Sequence, residues 1–325
     1  MSLPKYWNHS LSRYFLFGHS GVEVFFVLSG IVILHAHLND IGKPARIASF
    51  FWKRFRRIYP VYWLFLLAIL PVYLLIPSFG IGYERVPIVM LQSFLLIYIS
   101  RLETILPVAW TLCHEVMFYV IFATLLLNRK FGTVLISLWI AASACVLLVW
   151  SPHNLVVLQY ISPLHLLFGF GMGVLLVVRK QSLPGWPLVV AGLAGFIACA
   201  LYENHSGVEA SFLLDVGYGI GAALVLCGAM FMELHGRLPI PRFFKLLGDA
   251  SYAIYLAHYP AMSMLAKVFY PLWKRYPLPY IFPVIAMVAT STAIGVLIHL
   301  WIEKPILRVL SKPRESKVQV TKSAV

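Results

Sequence analysis

The amino-acid sequence predicts an all-α, polytopic membrane helix bundle. Its 325 residues are 61% hydrophobic and 12% charged, with a mean hydropathy of +0.84, whereas a soluble domain carries roughly 25% charged residues. The apolar residues fall in runs close to the ~20 residues a helix needs to cross hydrocarbon. Those runs lack period-two alternation, which excludes a membrane β-barrel. Helices remain, because a segment in lipid must bond its own backbone groups.

Nine spans are expected, at about 21–38, 58–79, 107–127, 131–149, 161–178, 186–202, 211–232, 248–268 and 281–301. Pro60, Pro77, Pro107, Pro152, Pro163, Pro184, Pro187 and Pro283 are expected at span ends, and the internal Pro71 is expected to kink its helix. Segment 87–100 is apolar but short, and charge decides its reading. If it does not cross, the loops on one face carry 19 Lys and Arg and those on the other carry 6. Basic residues collect in cytoplasmic loops. If it crossed, 13 of the 19 would move outside. Segment 87–100 is therefore expected to be re-entrant or interfacial. The chain divides into an external N-terminal segment 1–20, a membrane domain 21–307 and a basic cytoplasmic tail 308–325. The N-terminus then lies outside without an apolar span or signal peptide before it. That places the start of the chain outside, or calls for one further helix upstream of Met1.

The net charge of +14 follows from those basic loops, so no nucleic-acid partner is expected. Cys113, Cys145, Cys199 and Cys227 lie in apolar segments without CxxC spacing, as small buried residues rather than a disulfide framework or a zinc site. No metal centre is expected. There is no internal repeat and no low-complexity stretch. No GxGxxG, GxxxxGK[ST] or GxSxG motif occurs. Phosphate recognition must then come from Lys53, Arg54, Arg56 and Arg57, where guanidinium forks suit bidentate contacts. The same cluster also suits anchoring to anionic lipid.

Ionisable residues inside spans are costly and point to function. Glu23, His114, Glu115, His165, Asp215, Asp249, His258 and His299 are such residues. Glu23 and Asp249 also fit a favourable place at a helix N-terminus, and His165 and His299 fit hydrogen-bonded packing. Glu115 and Tyr119, four apart, share a face near Trp110. Ser251, Tyr255 and His258 form one helical stripe. The glycines Gly169, Gly171 and Gly173 are expected to permit close helix packing.

Five segments in order resemble the family-3 integral membrane acyltransferases, which O-acylate bacterial exopolysaccharide, O-antigen and related glycans. They are Gly21–Gly30 (GVEVFFVLSG), Arg54–Pro60 (RFRRIYP), Trp110–Tyr119 (WTLCHEVMFY), Ser251–His258 (SYAIYLAH) and Glu303-Lys304-Pro305. The resemblance runs from about residue 18 to 307. It implies ten spans with both ends cytoplasmic, which nine spans plus one upstream would meet. It also implies a bacterial inner-membrane enzyme with cytosolic acyl-CoA, usually acetyl-CoA, as co-substrate and no permanently bound cofactor. Arg54 and Arg57 occupy the RxxR positions near the CoA phosphates, with Lys53 and Arg56 adding attraction. The acceptor is a sugar hydroxyl of a cell-surface glycan or its lipid-linked precursor. Glu115 and His258 are the expected catalytic residues. Glu23, Trp110, Tyr119, Ser251 and Tyr255 are expected on the acceptor side. The family's first helix carries a histidine that precedes the GVxxFF segment by about a helix length; neither His9 nor His19, in polar or loop context, is assigned that role. The residue pattern by itself equally serves a transporter, a lipid- or glycan-binding membrane protein, or an inactive truncated relative. Oligomeric state is left open.

Overall fold

The computed structural model describes residues 16–76, 80, 82–99, 103–149, 159–207, 211–236, 239–276, 279 and 281–311. Most of the external segment, His9, Pro77, Pro152 and the tail beyond Ser311 lie outside the described residues. Regular structure among the described residues is helical, with no strand. The helices are α1 (Gly21–His37), α2 (Ile47–Leu75), α3 (Pro87–Leu95), α4 (Ala109–Leu127), α5 (Arg129–Val149), α6 (His165–Lys180), α7 (Gly185–Ser206), α8 (Phe212–Leu234), α9 (Arg242–Asp249), α10 (Ser251–Arg275), α11 (Ile281–Ile298) and α12 (Lys304–Ser311). A 3-10 turn, Leu16–Ser20, leads into α1, and a π-helical turn, His299–Glu303, joins α11 to α12. Seven of the described helical stretches are long and apolar enough to cross a membrane. Two further expected spans, α6 with 16 residues and α10 with internal Pro260 and Pro271, are helical as well.

Pro60 is not at a helix end: α2 runs through both Pro60 and Pro71. A proline inside a helix loses its own bond to the carbonyl four residues back and crowds that carbonyl, a local cost that neighbouring helices in a membrane bundle absorb. The helix therefore continues, and the basic cluster lies on it rather than in a loop.

Residues 87–99 run into the bundle and turn back. Arg85 donates twice to the Tyr73 carbonyl oxygen, at 2.9 Å each, near one end of α2. The nine residues of α3 then run alongside α2 until the Leu95 carbonyl oxygen meets the Tyr59 hydroxyl at 2.9 Å. Tyr73 and Tyr59 are separated by roughly 20 Å along α2, at about 1.5 Å per residue. The last carbonyls of a helix have no partner within it, and hydrocarbon supplies none. Here α2 supplies them through a stripe at Tyr59, Tyr62 and Trp63. Tyr62 donates to the Ser93 oxygen at 2.7 Å and Trp63 Nε1 to the Phe94 oxygen at 3.0 Å. Leu96, fully buried with a left-handed φ of 56°, reverses the chain. Ser93 Oγ accepts the Ile105 N–H at 2.9 Å on the return.

At the centre, α1 packs on α6, α8 and α4. Phe26 and Val27 are fully buried, and the Phe26 and Phe168 rings lie 4.8 Å apart. Backbone approach is close enough that a side-chain carbon on Gly171 would run into the Val27 carbonyl oxygen, and one on Gly30 into that of Phe168. Lipid tails are as apolar as the side chains, so helices in a bilayer gain most from such close contact. The hairpin α7–α8 uses the same device at heptad spacing. Gly185 faces Gly228 and Gly192 faces Gly221 across the pair. Leu67, Val120, Leu138 and Leu201 are exposed, as lipid-facing residues would be. Cys113 and Cys227 are buried as expected, whereas Cys145 is exposed.

Gly171→Val is expected to destabilise the protein by more than the 1–3 kcal/mol typical of overpacking, roughly, because backbone rather than a flexible side chain opposes it. Gly173→Ala, which meets nothing within 4 Å, should be tolerated. Monodispersity and thermal unfolding in detergent measure both.

Candidate functional site

Arg54 and Arg57, three apart on α2, share a face, yet their surroundings differ. Arg57 is anchored. Its Nη1 donates to Glu303 Oε1 at 2.7 Å, and Glu303 is fully buried. His299 Nδ1 donates to Glu303 Oε2 at 2.8 Å. The π-helical turn sets His299 and Glu303 to face Arg57 together, a local distortion that recurs at functional sites. The guanidinium carbon of Arg57 also lies 5.6 Å from the Tyr252 ring centroid. Tyr252 in turn donates to the Ile58 carbonyl oxygen at 2.7 Å. Thus α2, α10 and the α11–α12 junction are tied together at this basic end.

Arg54 is the less committed cation. Its Nε has no hydrogen-bond partner, and its guanidinium carbon lies 5.8 Å from the Tyr119 ring centroid. It edges a cavity of 270 Å³ lined also by Phe51, Phe55, Tyr59, Val116 and Tyr119. Behind Tyr119 sits Glu115, 7% exposed. The Glu115 Oε1 atom accepts a short hydrogen bond from Tyr119 and a 3.3 Å bond from Ser29 Oγ of α1. The order is guanidinium, phenol, carboxylate, serine, all in the interior of the bundle. The arrangement sets a cation at the cavity wall and keeps a buried carboxylate oriented one helical turn from Tyr119. Lys53 is exposed and Arg56 half-buried beside it.

One turn along α4 from Glu115, Thr111 Oγ1 and the Tyr255 hydroxyl are 2.6 Å apart. Tyr255 also donates to the Val108 carbonyl oxygen at 2.7 Å and stacks on Phe25. His258 turns inward along its own helix, its Nδ1 bonding the Tyr255 carbonyl oxygen at 2.5 Å. The Glu115 carboxylate is held by Ser29 and Tyr119 rather than by His258. The expected stripe also divides. Ser251 is exposed and opens α10 at the basic end, beside the Tyr252–Ile58 bond, whereas the Tyr255 hydroxyl reaches the start of α4. Glu23 lies apart, in a cluster with His19 at the far end of α1. Trp110 stands edge-on to His114, ring centroids 5.8 Å apart.

Val116 also borders a second cavity of 440 Å³, with Tyr98, Cys113, His114, Trp139 and Tyr160 among its walls. His114 Nδ1 and His165 Nε2 are 3.0 Å apart there, and Trp139 stacks on His165. His165 is therefore packing built around a hydrogen bond. Ser29, Thr111 and Glu303 were not expected in a site. Ser29 and Glu303 lay within quoted segments, but their partners, 86 and 246 residues away, leave no spacing signal.

The family model described as an acyltransferase domain, of the acyltransferase 3 type, matches residues 1–300. The chain is 30% identical over 305 residues to the exopolysaccharide production protein ExoZ of Rhizobium meliloti (strain 1021), covering 91% of this chain and 92% of the relative. No solved structure matches.

A double-mutant cycle on Arg57 and Glu303 is expected to show coupling. Each of Arg57→Ala and Glu303→Gln should lower stability by roughly 1–3 kcal/mol, the range for a hydrogen bond to a charged group. The double variant should lose less than the sum by at least ~0.5 kcal/mol. Thermal unfolding in detergent measures it.

Proposed function

The chain belongs to the acyltransferase 3 family and is a multi-pass membrane acyltransferase, and from that premise we propose that it transfers an acyl group, acetyl in the first instance, from cytosolic acyl-CoA to a hydroxyl of an exopolysaccharide or its lipid-linked precursor in a bacterial inner membrane. The observation that supports this best is the buried Glu115 carboxylate, aligned by Tyr119 and Ser29 behind Arg54 at the wall of a cavity. The printed name of the relative supports exopolysaccharide as the acceptor class.

In this reading Arg54 takes the CoA phosphates, since it stands at the cavity wall with its Nε unpaired. Arg57, fixed by Glu303, sets the position of α2 and leaves its outward edge for the same anion. Glu115 is the buried acceptor toward which the proton of the attacking sugar hydroxyl moves. The hydroxyl oxygen bonds to the thioester carbonyl carbon, the carbon–sulfur bond breaks, and the CoA thiolate recovers a proton on leaving. Positioning is a large part of such catalysis, because two bound reactants replace a bimolecular encounter. Water exclusion by the packed aromatic rings around Glu115 favours transfer to the sugar over hydrolysis.

Membranes carrying the chain, incubated with radiolabelled acetyl-CoA and lipid-linked exopolysaccharide, should yield alkali-labile label in the glycan. Arg54→Ala is expected to raise KM for acetyl-CoA by about tenfold or more, the equivalent of one lost charge-assisted contact, with a smaller effect on kcat. Glu115→Gln should lower kcat by about 10²-fold or more, as for loss of a proton acceptor. Full activity of Glu115→Gln at normal expression sinks the assignment, and an unchanged KM in Arg54→Ala sinks the clamp.

A further inference from the structure

At the end of the bundle opposite the arginines, four ionisable side chains meet from four elements. His19 comes from the 3-10 turn, Glu23 from the first turn of α1, Glu203 from the end of α7 and Asp215 from the first turn of α8. Glu23, Glu203 and Asp215 are buried, at 3%, 1% and 8% exposure. We infer that His19, Glu23 and Asp215 form a binding site for one divalent cation of the zinc or manganese type, with Glu203 orienting the histidine.

The hydrogen bonds sort the group into ligands and support. His19 Nε2 lies 2.8 Å from Glu203 Oε1, and Glu203 Oε2 accepts the Tyr218 hydroxyl at 2.6 Å. Glu203 is thus engaged on both oxygens, and it places the proton of a neutral His19 on Nε2. The other ring nitrogen, Nδ1, then turns its lone pair toward Glu23 Oε1, 3.3 Å away. This is the arrangement in which a metal-bound histidine donates its second N–H to a carboxylate.

What faces Nδ1 is a set of acceptors. One ligand atom from each of His19, Glu23 and Asp215 lies within 4.8 Å of the others. Atoms bound at about 2.0–2.2 Å to one ion lie at most about 4.4 Å apart, so closing on an ion asks only for a small inward shift of these side chains. The second, independent sign is Glu23 Oε2, a buried oxygen with no hydrogen-bond partner. A buried carboxylate oxygen without a donor is costly, and a cation among the three ligands satisfies it. Two positive charges offset Glu23 and Asp215. The His19 side chain, 33% exposed, leaves the ion a path from the surface. His19 and Glu23 are four residues apart, whereas Asp215 comes from α8, so the sequence shows two of the ligands together but not the third. The site does not depend on the acyl-transfer reading, since none of its residues touches Arg54 or Glu115.

The test uses the full chain purified in detergent without a polyhistidine tag and stripped with chelator. Calorimetric titration with Zn²⁺ and with Mn²⁺ should show saturable binding of one equivalent of at least one ion, accompanied by a rise in unfolding temperature. Asp215→Asn, close to isosteric, should weaken binding by at least ~100-fold, and Glu203→Gln by about 10–100-fold, as for other supporting carboxylates. If those variants fail to fold, pulsed EPR of the Mn²⁺-loaded wild-type chain decides the matter, because a directly bound imidazole nitrogen gives a resolved coupling. Absence of saturable binding by either ion, binding unchanged in both variants, or no nitrogen coupling would overturn the site; in the first case a proton shared between Glu23 and Asp215 takes the cation's place.

Discussion

Inside a bilayer a polar group can be satisfied only by the chain itself, and most of this structure follows from that constraint. The short helix α3 can end inside the bundle because Tyr59, Tyr62 and Trp63 of α2 donate to its last carbonyls. Glu303 can be fully buried because Arg57 and His299 each take one of its oxygens. Glu115 is held by Ser29 and Tyr119. The bonds from α2 to α3, from Arg57 to Glu303 and from Ser29 to Glu115 join distant parts of the sequence, so the same bonds that satisfy buried polar atoms also fix how the helices pack.

One consequence concerns the two arginines. Sequence spacing presents them as an equivalent pair, whereas packing gives them different tasks. Arg57 is immobilised by a carboxylate with no exposure and lies over Tyr252, which ties α2 to α10 and to the turn after α11. Arg54 stands at the cavity wall, against the aromatic ring that orients Glu115. Arg57 is held in place by the fold at both the carboxylate and the ring, whereas the Nε of Arg54 has no hydrogen-bond partner.

The helices were legible because their signal is local: a run of apolar residues of the right length needs no knowledge of its neighbours. For segment 87–100 the distribution of Lys and Arg argues against a crossing, and its helix α3 has nine residues, too few to span a bilayer. Pro60 misled, because a proline inside a membrane helix costs one backbone bond that surrounding structure can absorb, and α2 runs on. Within the site, Arg54, Glu115 and Tyr119 could be picked out, since an acid within an apolar run stands out by itself. Glu303, Ser29 and Thr111 could not, because their significance lies in partners on other helices. The Gly185–Gly228 and Gly192–Gly221 contacts escaped notice for the same reason: each needs both helices of the hairpin in view.

The route taken by residues 83–99 and 103–105 bears on how the protein is made. Nine residues are too few to span a bilayer and too few for a stable isolated helix. The bonds at the deep end of α3 come from α2, already synthesised, while Gln92 and Ser93 bond residues 103 and 105, which emerge afterwards. The seating of α3 is therefore complete only when the residues that lead into α4 are in place. The wall of the 440 Å³ cavity, which includes Leu96, Ile97 and Tyr98, is completed with them.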